Sequence, residues 1–265
     1  MELITSKDNQ KLKLIRGLRL KKNREETGLF LAEGLRLAEE AAKNADCHWA
    51  LFSEDAVAEP RYAALEAEFQ SRGVECLYTT AALFDSVAAT ENPQGVLAVC
   101  RIPELTPPTS GSWFAYCDGL SDPGNLGSVM RSAAAAGCDG LLLSNDTADP
   151  WNPKTVRASM GAVFRLPLWR AGSDKEAWEL LQSLNAAPLV TAMDGTDVRL
   201  CGEYLRLPHC WILGSEAFGV SDFWREHAAL SVSLPMAEGA ESLNVSCAAA
   251  VLFYQSFFSR DGLPL

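Results

Sequence analysis

Between residue 113 and the C-terminus short apolar runs alternate with stretches of helical character, and no other property of the chain restricts its fold so strongly. The runs are Phe114–Cys117, Leu141–Ser144, Leu189–Ala192, Trp211–Gly214 and Leu230–Leu234, with helical candidates at 126–136, 154–160, 174–185, 221–228 and 244–258 between or after them. Mostly continuous apolar strands joined by helices predict a parallel sheet, because such a sheet is covered on both faces. Ligands of these sheets bind beyond the carboxyl ends of the strands. Asp118, Ala192–Met193, Gly214–Glu216 and Leu234–Met236 all follow strand ends, so their loops can converge on one crevice.

In the first hundred residues the strand-like runs Leu29–Ala32, Trp49–Phe52, Cys76–Tyr78 and Val96–Cys100 are separated by Ala/Glu/Leu stretches at 35–43 and 61–70. That pattern is a small α/β unit. Pro103-Glu-Leu-Thr-Pro-Pro-Thr-Ser-Gly-Ser112 has the composition of a linker, since proline interrupts both ladders and helices. The expected organisation is a first domain over 1–102, a linker over 103–112 and a second domain over 113–265. A chain of 265 residues, 48% hydrophobic, can fill two modest cores. No apolar stretch approaches the roughly 18 residues that span a bilayer, and Met1-Glu-Leu-Ile-Thr5 lacks a signal-peptide profile. A cytoplasmic protein without membrane contact is expected. The eight cysteines form no CxxC pair, and most, lying in apolar runs, read as buried thiols. His209-Cys210 near Cys201 is a faint metal signal, and no metal site is expected.

The net charge of −11 argues against a nucleic-acid partner until its distribution is considered. Residues 1–24 carry Lys7, Lys11, Lys13, Arg16, Arg19, Lys21, Lys22 and Arg24 against Glu2 and Asp8, a local +6 that leaves −17 for the remainder. Leu12, Ile15, Leu18 and Leu20 fall between these cations at roughly helical spacing, which predicts one amphipathic helix over 8–22. Its basic face is either a solvated surface or an electrostatic footprint for RNA.

Three segments of the second domain combine polar groups with an adjoining apolar run: Asn125-Leu-Gly-Ser-Val-Met-Arg131, Gly214-Ser-Glu216 and Ser242-Leu-Asn244. The glycines before Asn125 invite a phosphate-loop reading, but Gly119-xxxx-Gly124 is followed by Asn125, so the Walker lysine is missing. The GxGxxG dinucleotide fingerprint is absent too, which disfavours a nucleotide-dependent enzyme of Rossmann type. Taken singly, Arg131 suits a surface ion pair, Glu216 a helix N-terminal acid, and Ser242 or Asn244 an N-cap. Their common position at strand ends favours one site.

In that order and setting the three segments resemble the motifs of the SpoU (TrmH-like) family of RNA ribose 2′-O-methyltransferases. Arg157-Ala-Ser-Met-Gly161 joins the first two, while Leu31-Ala-Glu-Gly34 and Asn92-Pro-Gln-Gly95 match more weakly the family's N-terminal substrate-binding domain. The resemblance implies a SPOUT fold, in which a parallel sheet carries a C-terminal trefoil knot, an exception to the rule against knots. It further implies S-adenosylmethionine as cofactor, held at Gly214, Leu234 and Leu243 with Thr191, Ala192 and Met193 as a further wall, and a homodimer. Asn125, Arg131, Glu216, Ser242 and Asn244 match the catalytic positions. Ala217 departs from the glycine many relatives carry in a GSEG pattern. The implied substrate is ribosomal RNA, with transfer RNA, a base-directed reaction or a non-catalytic RNA-binding role as alternatives. Because arginine stays protonated, Arg131 suits a cation that pairs with the target phosphate and the developing alkoxide better than a base.

Overall fold

The computed structural model describes residues 3–239 and 242–260. They form two compact units: the residues up to Glu104 together with Asp149–Arg165, and Leu105–Ala148 with the residues from Leu166 onward.

The first unit contains β1 (Leu3–Ile4), α1 (Gln10–Gly17), α2 (Lys21–Thr27), β2 (Leu29–Glu33), α3 (Leu35–Asn44), β3 (Cys47–Ser53), α4 (Pro60–Ser71), β4 (Glu75–Thr79), α5 (Ala81–Val87) and β5 (Val96–Arg101). Its sheet runs β1-β4-β3-β5-β2, with β5 antiparallel to both neighbours and the other pairs parallel. Leu12, Ile15 and Leu18 pack with Trp49, Leu51 and Phe84 in one buried cluster, which is how α1 is fixed to the sheet. The single helix expected over 8–22 is two. Leu18 stays in the core while Leu20 turns 63% exposed in an extended conformation, and α2 starts after it. Side chains of α2 satisfy the carbonyls freed at the break: Asn23 Nδ2 donates to Gly17 O at 2.9 Å and Arg24 Nη1 to Leu18 O at 2.7 Å. Helix ends need such partners.

That arrangement corrects the reading of the basic segment. Arg24 is 2% exposed and ion-paired to Asp149 at 2.5 Å, so it is a structural group and not an RNA contact. Arg19 donates to the carbonyls of Val87 and Ala88, and Arg16 to that of Lys7. Lys11 pairs with Glu75, Lys13 with Asp8, Lys21 with Glu25 and Lys22 with Glu26, all exposed pairs that are easily exchanged for another anion.

The segment Asp149–Arg165, read from the sequence with the second domain, lies in the first unit. Its helix (Pro153–Ala158, α7 in chain order) packs beside β2. Trp151 and Phe164 meet Phe30 with ring centroids 4.7 and 6.1 Å apart, and Asp149 takes up Arg24. These aromatic contacts and the buried ion pair hold the excursion in place.

In the second unit the elements are β6 (Trp113–Asp118), α6 (Pro123–Ala135), β7 (Gly140–Leu143), β8 (Leu168–Arg170), α8 (Asp174–Ser183), β9 (Ala187–Asp197), α9 (Gly202–Leu205), β10 (His209–Gly214), α10 (Asp222–Glu226), β11 (Leu230–Ser233) and α11 (Val245–Arg260). The sheet is parallel throughout, in the order β11-β9-β10-β6-β7-β8, as the apolar runs predict. Strands β6 and β10 are buried at every position. From β6 the chain proceeds outward through β7 and β8, then returns to build β9 and β10 on the other side, which makes the β6/β10 boundary a switch point of the kind that opens a crevice. Register places Gly214 directly beside Asp118 there.

At the opposite end of β10, His209 is 1% exposed between Leu207 and α11. Its Nδ1 faces the Leu207 carbonyl at 2.8 Å, which can only accept, so Nδ1 carries the proton. Nε2 then accepts from the Ser256 hydroxyl at 2.7 Å, and Ser256 Oγ accepts from Trp211 Nε1 at 2.8 Å. Burial pushes the imidazole down to about 4 from 6.5, with the Arg260 charge acting the same way against the pull of the Leu207 carbonyl. A base depressed on folding contributes stability that is complete above its unfolded value and is lost as the unfolded chain takes up the proton. Stability should therefore decline between pH 6.5 and about 4, by up to about 3 kcal/mol from this group. Urea titrations across that range should show the decline in the wild type and a smaller one in His209→Gln; parallel declines would exclude His209 as the source.

Candidate active site

Helix α6 begins with Asp122, whose side chain caps it by accepting from Asn125 N at 2.9 Å, and this fixes Asn125 in its first turn. From there Asn125 Nδ2 donates to Glu216 Oε1 at 2.7 Å, and Asn125 Oδ1 accepts from Asn244 Nδ2 at 3.1 Å. The orientations are forced. An ionised carboxylate only accepts, so the Asn125 amide nitrogen faces Glu216 and its oxygen is left for Asn244. Asn244 Oδ1 in turn accepts from Ser246 N at 2.9 Å and from the Ser246 hydroxyl at 2.7 Å, so Asn244 caps α11 and joins the site at once. Glu216 and Asn244, 91 and 119 residues from Asn125 in the chain, are thereby linked with it in one polar row.

Beside this row lies a cavity of about 340 Å³, whose wall contains Thr191, Ala192, Met193, Gly214, Leu234 and Leu243, the six residues read from the sequence as cofactor contacts. Glu216 and Ser242 are in the wall too, Ser242 outside the hydrogen-bonded row. Thr191 Oγ1 donates to Ile212 O at 3.0 Å and so ties β9 to β10 under the cavity. Sequence reasoning missed Val245, Ala248 and Leu252. Ala248 and Leu252 are four apart on α11, a spacing that shares one face and could have marked them.

Arg131 is not brought to the row. It stands about 9 Å along α6 from Asn125 and about 120° around the axis, exposed, and among the described residues its side chain has no hydrogen-bond or ion-pair partner.

The turn between β10 and α10 carries Glu216 and is tightly closed. Ser215 and Gly219 exchange backbone bonds of 3.0 and 2.9 Å, and Asp118 Oδ2 accepts from Ser221 N at 2.7 Å from the adjoining strand end. Burial raises the Asp118 carboxyl above its ordinary value against those bonds from Ser221. Gly214 is required not by its φ but by the close approach of the Gly219–Val220 backbone. The left-handed position of the turn is Gly219, with φ +69°, so Ala217 costs the turn nothing. Among the described residues no group of three or more His, Cys, Asp or Glu side chains is placed to hold a metal ion.

Residues 113–254 match the model of the SpoU rRNA methylase family, and residues 9–98 match an MRM3-like substrate-binding domain. The chain belongs to the SpoU rRNA methylase family. It is 34% identical over 258 residues to the 23S rRNA (guanosine(2553)-2′-O)-methyltransferase RlmP of Bacillus subtilis, covering 96% of this chain and 98% of that one. Among solved structures it is similar to the SpoU methyltransferase AviRb from Streptomyces viridochromogenes in complex with the cofactor AdoMet, with a TM-score of 0.85, 26% identity and coverage of 96% and 100%. An AdoMet-bound rRNA methyltransferase from Sinorhizobium meliloti aligns with a TM-score of 0.83 and 28% identity over 96% of this chain and 97% of that one. SpoU membership gives the polar row and its neighbouring cavity a chemical context: a strand-end crevice with an apolar wall beside a cluster of oriented amides and one carboxylate.

Proposed function

We propose that this SpoU-family chain is an S-adenosylmethionine-dependent methyltransferase that acts on a ribose 2′-hydroxyl of ribosomal RNA. The observation that carries the reading is the row Glu216–Asn125–Asn244, drawn from all three motifs, at the edge of the cavity lined by Gly214, Leu234 and Leu243. The cavity suits the cofactor: about 340 Å³ is within the range of small-molecule sites, and its Thr191–Met193 wall together with Leu234 and Leu243 offers apolar surface to an adenine with backbone polar groups at the strand ends. S-adenosylmethionine supplies an electrophilic methyl group. The chain's own residues do the rest. Asn125, Glu216 and Asn244 hold one another and present a fixed surface to the ribose, with Ser242 beside them, so little reorganisation is left to the reaction. Arg131, without a partner among the described residues, pairs with the target phosphate and stabilises the oxygen as its proton leaves to that phosphate or to water.

Ribosomal RNA is favoured over transfer RNA by end-to-end similarity to a relative named for 23S rRNA. In this reading the first domain, residues 1–102, binds RNA, and Lys7, Lys11, Lys13, Lys21 and Lys22 supply its long-range attraction. A cytoplasmic location and a C-terminal trefoil knot belong to the same proposal. Ribose-methylation mapping of ribosomal and transfer RNA from cells with and without the gene tests it: one 2′-O-methyl should vanish from ribosomal RNA, and purified enzyme should restore it in the presence of EDTA. A lost methyl on a base, or strict dependence on a divalent ion, would refute the scheme.

The working unit in this proposal is a homodimer. Val251, Tyr254 and Phe258 are 43%, 39% and 37% exposed, and their spacing puts them on one stripe of α11. Tyr254 and Phe258 rings lie 5.8 Å apart, so part of the stripe is a joined apolar surface suited to contact with another chain. A second copy of the same helix is its occupant. Sedimentation at micromolar concentration should give twice the chain mass and Tyr254→Glu the single mass; a strictly monomeric wild type would reject the dimer.

A further inference from the structure

Three sequence stretches play no part in the crevice: Leu31-Ala-Glu-Gly34, Asn92-Pro-Gln-Gly95 and Arg157-Ala-Ser-Met-Gly161. Within the first unit they converge on a second cavity of about 350 Å³, walled by Glu33, Gly34, Asn92, Gln94, Arg157 and Met160 together with Arg36 and Leu37 of α3. The convergence is built into the backbone. Gly34 has φ +100°, and a Cβ there would lie 3.0 Å from Gln94 Oε1, the atom that accepts from Leu35 N at 2.9 Å. Met160 and Gly161 both have positive φ, and a Cβ on Gly161 would meet Glu40 Cγ at 2.9 Å, so this turn lies close against α3.

The chemistry of the wall is that of an anion and hydrogen-bond receptor. The Glu33 carboxylate is spent on Ala89 N at 2.6 Å, Thr90 N at 3.1 Å and the Thr90 hydroxyl, so it closes the Ala89–Thr90 turn and offers little to a ligand. The side chains of Arg36, Asn92 and Arg157 make no hydrogen bond or ion pair among the described residues. Gln94 uses its oxygen on Leu35 and keeps its Nε2 donors. The amides of Arg36 and Leu37 belong to the first turn of a ten-residue helix, where backbone donors lack helical partners and favour an anion. Met160 and Leu37 supply an apolar side.

We infer that this cavity receives one unstacked nucleotide of the RNA substrate, its phosphate held by Arg36, Arg157 and the first turn of α3, and its base edge read by Asn92 and Gln94. Single-stranded RNA is recognised in this way, through splayed bases with accessible edges, and about 350 Å³ admits a nucleotide but not a duplex. The inference rests on the RNA-methyltransferase reading and adds a site that selects the substrate apart from the reacting ribose.

The test uses the full chain and a labelled ten-nucleotide single-stranded RNA of mixed sequence, followed by fluorescence anisotropy over a salt series. Arg36→Gln with Arg157→Gln should weaken binding at least tenfold and lower the slope of log K against log salt by about 0.7, the share of one neutralised phosphate. Asn92→Ala, an exposed change with little scope to unfold the chain, should weaken binding several-fold without altering the slope. Both should keep wild-type melting and S-adenosylmethionine affinity, and on ribosomal RNA both should raise KM with kcat unchanged. If both bind the RNA as the wild type does, the pocket is not an RNA site even though methylation persists. A wild type that neither binds RNA nor methylates it would instead overturn the functional reading along with the pocket.

Discussion

Arg131→Ala will lower turnover by about two to three orders of magnitude, the usual cost of removing one charged donor from a developing oxyanion. The fold and cofactor affinity should survive. Arg131 is exposed on α6, has no partner among the described residues and lies outside the wall of the crevice cavity, so truncation breaks no internal bond. Surface changes of that sort usually stay within about 0.5 kcal/mol of neutral. Arg131→Lys should recover little, since a point charge does not reproduce a bidentate fork. The product provides the readout. A 2′-O-methyl removes the nucleophile of alkaline cleavage, so wild-type enzyme leaves one alkali-resistant linkage in its RNA and the alanine variant leaves none in the same time. Near-wild-type methylation by Arg131→Ala would mean that the row at Asn125 performs the reaction without this cation.

The separation of Arg131 from Asn125 shows where sequence reasoning reaches its limit. The parallel sheet was readable because β6 and β10 are buried on both faces and so carry unbroken apolar runs. The convergence of strand-end loops followed from that sheet, and all six expected cavity residues do line one cavity. Side-chain partners are another matter. Nothing in the spacing of Asn125, Glu216 and Asn244 says that two amides and a carboxylate bond in a row, because those contacts depend on how the turn after β10 closes. Charge counting failed at Arg24 for a related reason: a cation in a basic run reads as surface, and only the arrival of Asp149 from 125 residues away makes it a buried ion pair. An expected second domain over 113–265 takes in 149–165 for the same reason, since it is contacts such as those of Trp151 and Phe164 with Phe30 that tie that segment to the first unit. The break after Leu18 escaped periodicity because Leu20 continues the apolar pattern while its side chain faces water.

Gly214→Ala should be the most damaging single-methyl change in the crevice. A Cβ at this position would lie 2.2 Å from both Gly219 C and Val220 N and 2.5 Å from Gly219 O. All three are backbone atoms, so no side chain can rotate away, and relief requires the end of β10 or the 215–219 turn to move. Overpacking of a well-filled region ordinarily costs about 1–3 kcal/mol, and the damage here extends to the site. The turn is held by the Ser215–Gly219 bonds and by Asp118 on Ser221, and it carries Glu216, the partner of Asn125. Any displacement therefore shifts one wall of the cavity and one member of the polar row together. Calorimetry should show S-adenosylmethionine affinity reduced at least a hundredfold, equivalent to about 2.8 kcal/mol, with a lower melting temperature. Ala217→Gly is the matched comparison: residue 217 is not at positive φ, so restoring the family's glycine should change affinity less than about threefold, of order 0.6 kcal/mol. If Gly214→Ala bound cofactor normally while Ala217→Gly did not, the constraint on this turn would lie at residue 217, and the close approach at Gly214 would have no bearing on the site.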